Sequence, residues 1–211
     1  MAMHERKLEI YCSYCFQNDA GHIFCASFSN ANHTLPLPMQ GSTILFLHGF
    51  LGTNEEWVPI MHAISGSARC ISVDLPGHGA TKIKNCGDDK AALLSLLSIE
   101  IIADLLLKLI EHVTPDKVTL VGYSMGARIA LYMALKFSDK IEGAVILSGS
   151  PGLEDAVARK IRRAKDDSKA RSIVTHGLQL FLNTWYSGGL WKRCFSCLCS
   201  QLLIIILKVL C

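Results

Sequence analysis

Val121-Gly122-Tyr123-Ser124-Met125-Gly126-Ala127 holds a G-x-S-x-G run, and its flanks decide how it is read. The apolar residues 117–121 before it have strand character, and residues 128–137 after it have helix character. A strand that runs directly into a helix must turn sharply. Small residues two before and two after the serine let the main chain pass close to its neighbours there. The hydroxyl of Ser124 is then left exposed at the tip. The pentapeptide alone is common in ordinary turns, so the strand before and the helix after carry its meaning.

The same alternation extends outward on both sides. Residues 42–47 form a continuous apolar run, as a parallel strand covered on both faces requires, and end in His48-Gly49-Phe50-Leu51-Gly52. A helix is predicted over 55–64 and a buried strand over 69–73, which runs into Asp74-Leu75-Pro76-Gly77-His78-Gly79. Residues 91–112 read as a long helix with Leu94, Leu97, Ile101, Leu105 and Leu109 on its apolar face, broken by Thr114-Pro115-Asp116. A strand over 141–147 leads into Ser148-Gly149-Ser150-Pro151-Gly152. Near the start, residues 8–16 and 22–28 alternate around Asn18-Asp19-Ala20-Gly21 and predict an antiparallel hairpin. A polar linker with Pro36 and Pro38 follows.

Strands alternating with helices define an α/β protein with a mostly parallel sheet. Ligands in such sheets bind beyond the carboxyl ends of the strands. The loops after residues 47, 73, 121 and 147 are expected to converge on one mouth. His48 reads as a residue that orders its loop, the usual work of a histidine at a strand end.

At 211 residues the chain is long enough for one domain with a substantial core. Half of it is apolar and 18% is charged, which fits a globular protein rather than a disordered one. A net charge of +3, with no basic-aromatic strip, argues against nucleic acid. Nine cysteines without a signal peptide suggest a reducing compartment. Cys12-x-x-Cys15 and Cys194-x-x-Cys197 lie at opposite ends of the chain, so no metal site is expected. The sequon Asn32-His33-Thr34 reads as chance.

Texture changes after Ser150. Residues 154–171 hold seven basic and four acidic side chains, and residues 173–185 are amphipathic. Two helices lying over the mouth, a cap spanning 151–193, are expected beside a core of 1–150. Arg159, Arg162 and Arg163 share a helix face, either as a solvated face laced with ion pairs or as anion-binding forks. Residues 194–211 are apolar and cysteine-rich, yet too short and interrupted to span a bilayer, which takes about 20 apolar residues.

Ser124 needs a base, normally a histidine held by a carboxylate, and an oxyanion hole, here expected from the backbone N–H groups of Met125 and Phe50. L-H-G-F-L-G (47–52), D-L-P-G-H-G (74–79), V-G-Y-S-M-G-A-R (121–128) and S-P-G-L (150–153) together resemble the α/β-hydrolase fold. With Trp57, Arg128 and the basic cap, they resemble the 2-succinyl-6-hydroxy-2,4-cyclohexadiene-1-carboxylate (SHCHC) synthases of menaquinone and phylloquinone biosynthesis. In plants such a domain ends a longer multifunctional protein.

The resemblance implies a lyase. It would take a proton from a succinyl-bearing cyclohexene carboxylate and expel pyruvate, with the activated serine as base and no metal or cofactor. It carries Ser124 onto the catalytic serine and Tyr123, Arg128, Arg162 and Trp185 onto the substrate pocket; His48 and Gly49 stay structural loop residues, as their strand-end position indicates. A small substrate bearing several carboxylates calls for guanidinium forks. Pathway resemblance points to plastids, with the cytoplasm as the alternative.

In this fold the triad acid and histidine come after the serine, beyond the cap. Here the one histidine after Ser124 is His176, on an expected cap helix. The chain therefore reads as an incomplete α/β-hydrolase fold whose last strands are missing. A replacement tail from about Cys194 and little or no turnover are expected. A serine carboxyl-ester hydrolase and a non-catalytic fragment are the rival readings.

Overall fold

Residues 11–17, 23–29, 42–64, 67–81 and 97–187 are described by a computed structural model. The turn at 18–21, the linker prolines, the sequon, residues 91–96 of the long helix and the tail at 194–211 lie outside these residues. The chain divides into two compact units, the first running to Ser150 and the second starting at Pro151.

Six strands among the described residues form the sheet of the first unit, in the order β1-β2-β4-β3-β5-β6. They are β1 (Tyr11–Gln17), β2 (Ile23–Ser29), β3 (Thr43–Leu47), β4 (Arg69–Val73), β5 (Val118–Tyr123) and β6 (Ile141–Leu147). β1 pairs antiparallel with β2, from Tyr11 opposite Ser29 to Gln17 opposite Ile23, and β2 continues antiparallel onto β4. The remaining pairings, β4 with β3, β3 with β5 and β5 with β6, are parallel. β3 and β5 are central and apolar apart from the buried Thr43 and Thr119, and all of β3 is buried.

Because side chains alternate across a strand, β3 serves two cores at once. Leu45 and Leu47 join Ile71, Val73, Leu120, Ile129 and Met133 in one cluster. Phe46, next to them in sequence, meets Trp57, with ring centroids 5.2 Å apart. Burying an aliphatic or aromatic side chain of this kind contributes about 1.5–3 kcal/mol.

The helices depart from expectation in instructive ways. The segment expected as a helix over 55–64 begins as a 3-10 turn, Asn54–Trp57, and becomes α1 only at Val58–Ile64. Pro59 suits the first turn of α1, where its missing N–H costs nothing. In α2 (Ile99–Val113), capped by Ser98 accepting from the Ile101 N–H at 3.3 Å, the buried face is Ile102, Leu106, Leu109 and Ile110. Ile101 and Leu105 are only half-buried, so the face is rotated by about one residue from the pattern read in the sequence. α3 (Met125–Lys136) starts three residues earlier than its apolar run, immediately after Ser124.

In the second unit, α4 (Ala156–His176) is capped by Asp155, whose carboxylate accepts from the Ala158 N–H. Gly177, with φ of 82°, ends it, and α5 (Leu178–Ser187) follows. The amphipathic segment expected over 173–185 is thus two helices broken at Gly177, because glycine takes the left-handed φ that terminates a helix without steric cost.

Candidate active site

Ser124 has φ 52° and ψ −104°, a conformation costing a non-glycine residue about 1–3 kcal/mol. Its surroundings hold it there. The Ser124 N–H donates to Leu147 O of β6 at 2.8 Å, and the Gly126 N–H donates to His48 O at 3.1 Å. Ser124 O in turn accepts from the Arg128 N–H at 3.3 Å, closing the first turn of α3. The elbow is therefore bonded to the ends of both β3 and β6.

The two flanking glycines are required by space. A β-carbon on Gly126 would strike the carbonyl oxygens of Leu47 and His48. One on Gly122 would strike Gly126 O and stand 2.6 Å from the Cα of Ala127. Ser124 itself is half-buried.

The loop after β3 lies directly against this elbow. The β-carbon position of Gly49 is 2.8 Å from Cδ1 of Tyr123 and 3.5 Å from Cβ of Ser124. Phe50 is 40% exposed and meets His78 edge-on, at 6.2 Å between centroids. Met125 opens α3, so its N–H has no carbonyl one turn back within the helix. The first unit thus brings Tyr123, Ser124, Met125, His48, Gly49 and Phe50 together at the carboxyl ends of the strands. Arg128 is exposed one turn into α3, and its guanidinium makes no ion pair among the described residues.

His48 is wholly buried. Nε2 accepts from the Leu75 N–H at 2.9 Å, and Nδ1 lies 2.7 Å from Gly49 O. A main-chain N–H can only donate, so the proton of the neutral ring is on Nδ1, donated to Gly49 O. Burial holds the imidazole below its usual range, and the neighbouring His78 adds to this. The Gly49 bond and Asp74 act in the opposite sense and are outweighed.

Asp74 is a site residue whose part the sequence did not reveal, although its motif stood out. Buried at the end of β4, its carboxylate accepts from the Asn54 N–H and the Ala80 N–H, both at 2.8 Å. Its main-chain oxygen takes the Thr81 hydroxyl at 2.6 Å. The aspartate of D-L-P-G-H-G therefore ties its own loop shut and joins it to the loop after β3. The signal was an acidic residue at a buried strand end, where only main-chain donors can satisfy it.

The second unit carries the remaining expected residues. Arg162 Nε donates to Asp166 at 2.7 Å, and Lys169 reaches the same carboxylate at 3.2 Å. Burial alone would raise Asp166, but these two hydrogen bonds outweigh it and hold the carboxyl below its usual range. Arg159 donates to the carbonyls of Leu153 and Glu154, so it braces the entry to α4. Trp185 stacks on Phe181 at 5.7 Å, with Lys169 Nζ 5.2 Å from its ring centroid. His176 Nδ1 lies 3.2 Å from Ser172 O, one turn back on its own helix.

A parallel sheet, a strained serine between strand and helix, and loops bonded around it are the features of one fold family. The family model for the alpha/beta hydrolase fold matches residues 42–187, and the chain belongs to that family. It is 65% identical over 153 residues to the chloroplastic protein PHYLLO of Arabidopsis thaliana, covering 72% of this chain and 9% of that one. It is 36% identical over 151 residues to the 2-succinyl-6-hydroxy-2,4-cyclohexadiene-1-carboxylate synthase of Serratia proteamaculans, covering 68% of this chain and 52% of that one. The structure of MenH from S. aureus superposes with a TM-score of 0.66 at 28% identity, over 79% of this chain and 58% of that one. The chain thus spans about half the length of the bacterial synthase and a small part of PHYLLO.

Proposed function

We propose that this chain carries the serine elbow and surrounding loops of an SHCHC synthase-type lyase. In that reading Ser124 takes a proton from a succinyl-bearing cyclohexene carboxylate, electrons move to expel the enolpyruvyl group as pyruvate, and the N–H groups of Met125 and Phe50 face the developing negative charge. The observation that carries it is the 36% identity to the Serratia proteamaculans SHCHC synthase over 151 residues, a stretch long enough to include the elbow. Arg128 supplies a cation one helical turn from the serine, and Tyr123 a hydroxyl-bearing ring beside it. Arg162 and Trp185 complete the substrate contacts in this reading, as positions carried over from the synthases. Plastid residence is proposed from the chloroplastic relative.

The proposal is tested by supplying the cyclohexene substrate and, separately, a nitrophenyl ester to the protein and to Ser124→Ala. Pyruvate release that disappears in Ser124→Ala supports the lyase. Ester cleavage without pyruvate release would favour a carboxyl-ester hydrolase. With neither reaction but saturable binding of the cyclohexadiene product, the site would be a binding surface lacking its base.

A further inference from the structure

We infer that Cys15 and Cys25 are a thiol-oxidation site, closing to a reversible cross-strand disulfide on the hairpin beside the carboxyl end of β4. The inference is independent of the lyase reading, because it rests on the pairing of β1 with β2.

In the sequence the conspicuous pair is Cys12-x-x-Cys15. Both residues belong to β1, and three steps along a strand separate their positions by about 10 Å and put them on opposite faces of the sheet. A disulfide needs Cα atoms within about 7 Å, so this pair cannot close while the strand is intact. The register supplies a different partner. Cys15 stands directly opposite Cys25 of β2, whereas Cys12 stands opposite Phe28. Directly opposed residues of an antiparallel pair share a face, with Cα atoms about 4.5 Å apart at a non-hydrogen-bonded position and about 5.5 Å apart at a hydrogen-bonded one. Both separations fall within the span of about 4.4–6.8 Å that disulfides bridge, so either kind of position suffices. Cys70 is no competitor. It pairs with Ser29 at the other end of β2, and its thiol is buried and pushed up to about 12, which leaves almost no thiolate to react.

The place of the pair gives the link something to hold. The ladder between β2 and β4 runs from Ser29 opposite Cys70 to Ala26 opposite Val73, the last residue of β4. Cys25 is the next residue in that register, level with Asp74 at the start of the mouth. From Cys25 to Ile23, β2 pairs with β1 alone among the described residues, and β1 ends the sheet on that side. Two strands without further support are marginally stable, so a covalent link at this level fixes a register that the rest of the sheet does not. Opposed β-carbons in a ladder stand about 4.5–5.5 Å apart, wider than the roughly 3.5–4.5 Å of a relaxed disulfide, and such a mismatch makes the bond easier to reduce.

The oxidant is a small disulfide such as oxidised glutathione. One cysteine thiolate attacks a sulfur of that disulfide, forming a mixed disulfide and releasing one thiolate. The other cysteine thiolate then attacks the protein sulfur of the mixed disulfide and expels the second. The protein gives up two electrons and its two thiol protons, and the oxidant becomes two thiols. A dithiol reverses both steps.

The test equilibrates the full chain with oxidised glutathione, blocks remaining thiols and maps the unreduced protein by mass spectrometry after cleavage at aromatic residues. Tyr14 separates Cys12 from Cys15, and Phe16 and Phe24 separate Cys15 from Cys25, so each possible link gives its own peptide pair. The expected main product among these three cysteines is Cys15 joined to Cys25, removed by dithiothreitol and retained in Cys12→Ser. In urea, where the register is lost, that preference should disappear. A link between Cys12 and Cys15 in the folded protein, glutathione adducts or free thiols at Cys15 and Cys25 with no link, or the same preference in urea would each overturn the inference. Amide exchange at residues 23–25 should slow on oxidation, and unchanged exchange would contradict the role of the link in holding the hairpin.

Discussion

Replacing Gly126 by alanine adds one methyl group at the tightest point of the elbow. The new carbon would lie 2.6 Å from His48 O and closer still to Leu47 O. Both obstacles are main-chain atoms of β3 or its end, and β3 is held by ladders to β4 and β5 on either side. Neither can yield without loosening the centre of the sheet. Overpacking in a core costs about 1–3 kcal/mol, and an obstacle made of backbone places Gly126→Ala at the upper end, about 3 kcal/mol. For a domain of this size each kcal/mol moves Tm by about 2–4 °C, so a fall of about 6–12 °C is expected. Gly143→Ala is the control in the same sheet, because nothing lies within 4 Å of its β position. It should leave Tm unchanged or raise it slightly, since alanine restricts the unfolded chain. Thermal unfolding followed by circular dichroism measures both. A Gly126→Ala variant within about 2 °C of the parent, or equal losses from the two substitutions, would refute the packing described for the elbow.

His48 predicts a dependence of stability on pH. Its folded-state pKa is lowered mainly by burial, so as pH falls below about 6.5 the unfolded chain takes up a proton that the folded chain refuses. Stability should therefore fall with decreasing pH, by up to about 1.4 kcal/mol per unit until the folded-state pKa is reached. Urea titrations between neutral and mildly acid pH should show this slope, and His48→Asn should reduce it. The Cys70 thiol is buried and pushed up to about 12, so peptide-level mass spectrometry should find it unalkylated in the native protein and modified once urea is added. Arg162→Gln removes an exposed pair within one helix and should change stability by at most about 0.5 kcal/mol. If Arg162 also binds substrate carboxylates, the same variant should raise KM well beyond what that small change explains.

The elbow was legible because its requirements are local: a strand, two glycines and a helix within the stretch Val118–Lys136. The buried strands at β3 and β4 were equally plain, since a run apolar on both faces has few other uses. What could not be read were features set by partners distant in sequence. Asp74 looked like one more loop residue, yet its donors come from Asn54 and Ala80. Arg159 and Arg162 looked equivalent on one helix face. Their partners are local: the structure gives Arg162 to Asp166 at the i, i+4 spacing the sequence contains, and Arg159 to the main-chain carbonyls of Leu153 and Glu154 before the helix, which helix spacing does not contain. The rotated face of α2 has a similar cause. Nearly every position in Ile101–Leu107 is apolar apart from Asp104, so packing against the sheet rather than periodicity chose Ile102 and Leu106.

The most direct test of the proposed chemistry is the rate of pyruvate release from the cyclohexene substrate, compared between the protein and Ser124→Ala. Ser124 is held in a strained elbow between β5 and α3, at the carboxyl ends of the strands. Loss of a catalytic serine costs about four or more orders of magnitude in rate in serine hydrolases, so Ser124→Ala should lower pyruvate release by about 10⁴-fold or more. Pyruvate release that Ser124→Ala leaves unchanged would contradict the account.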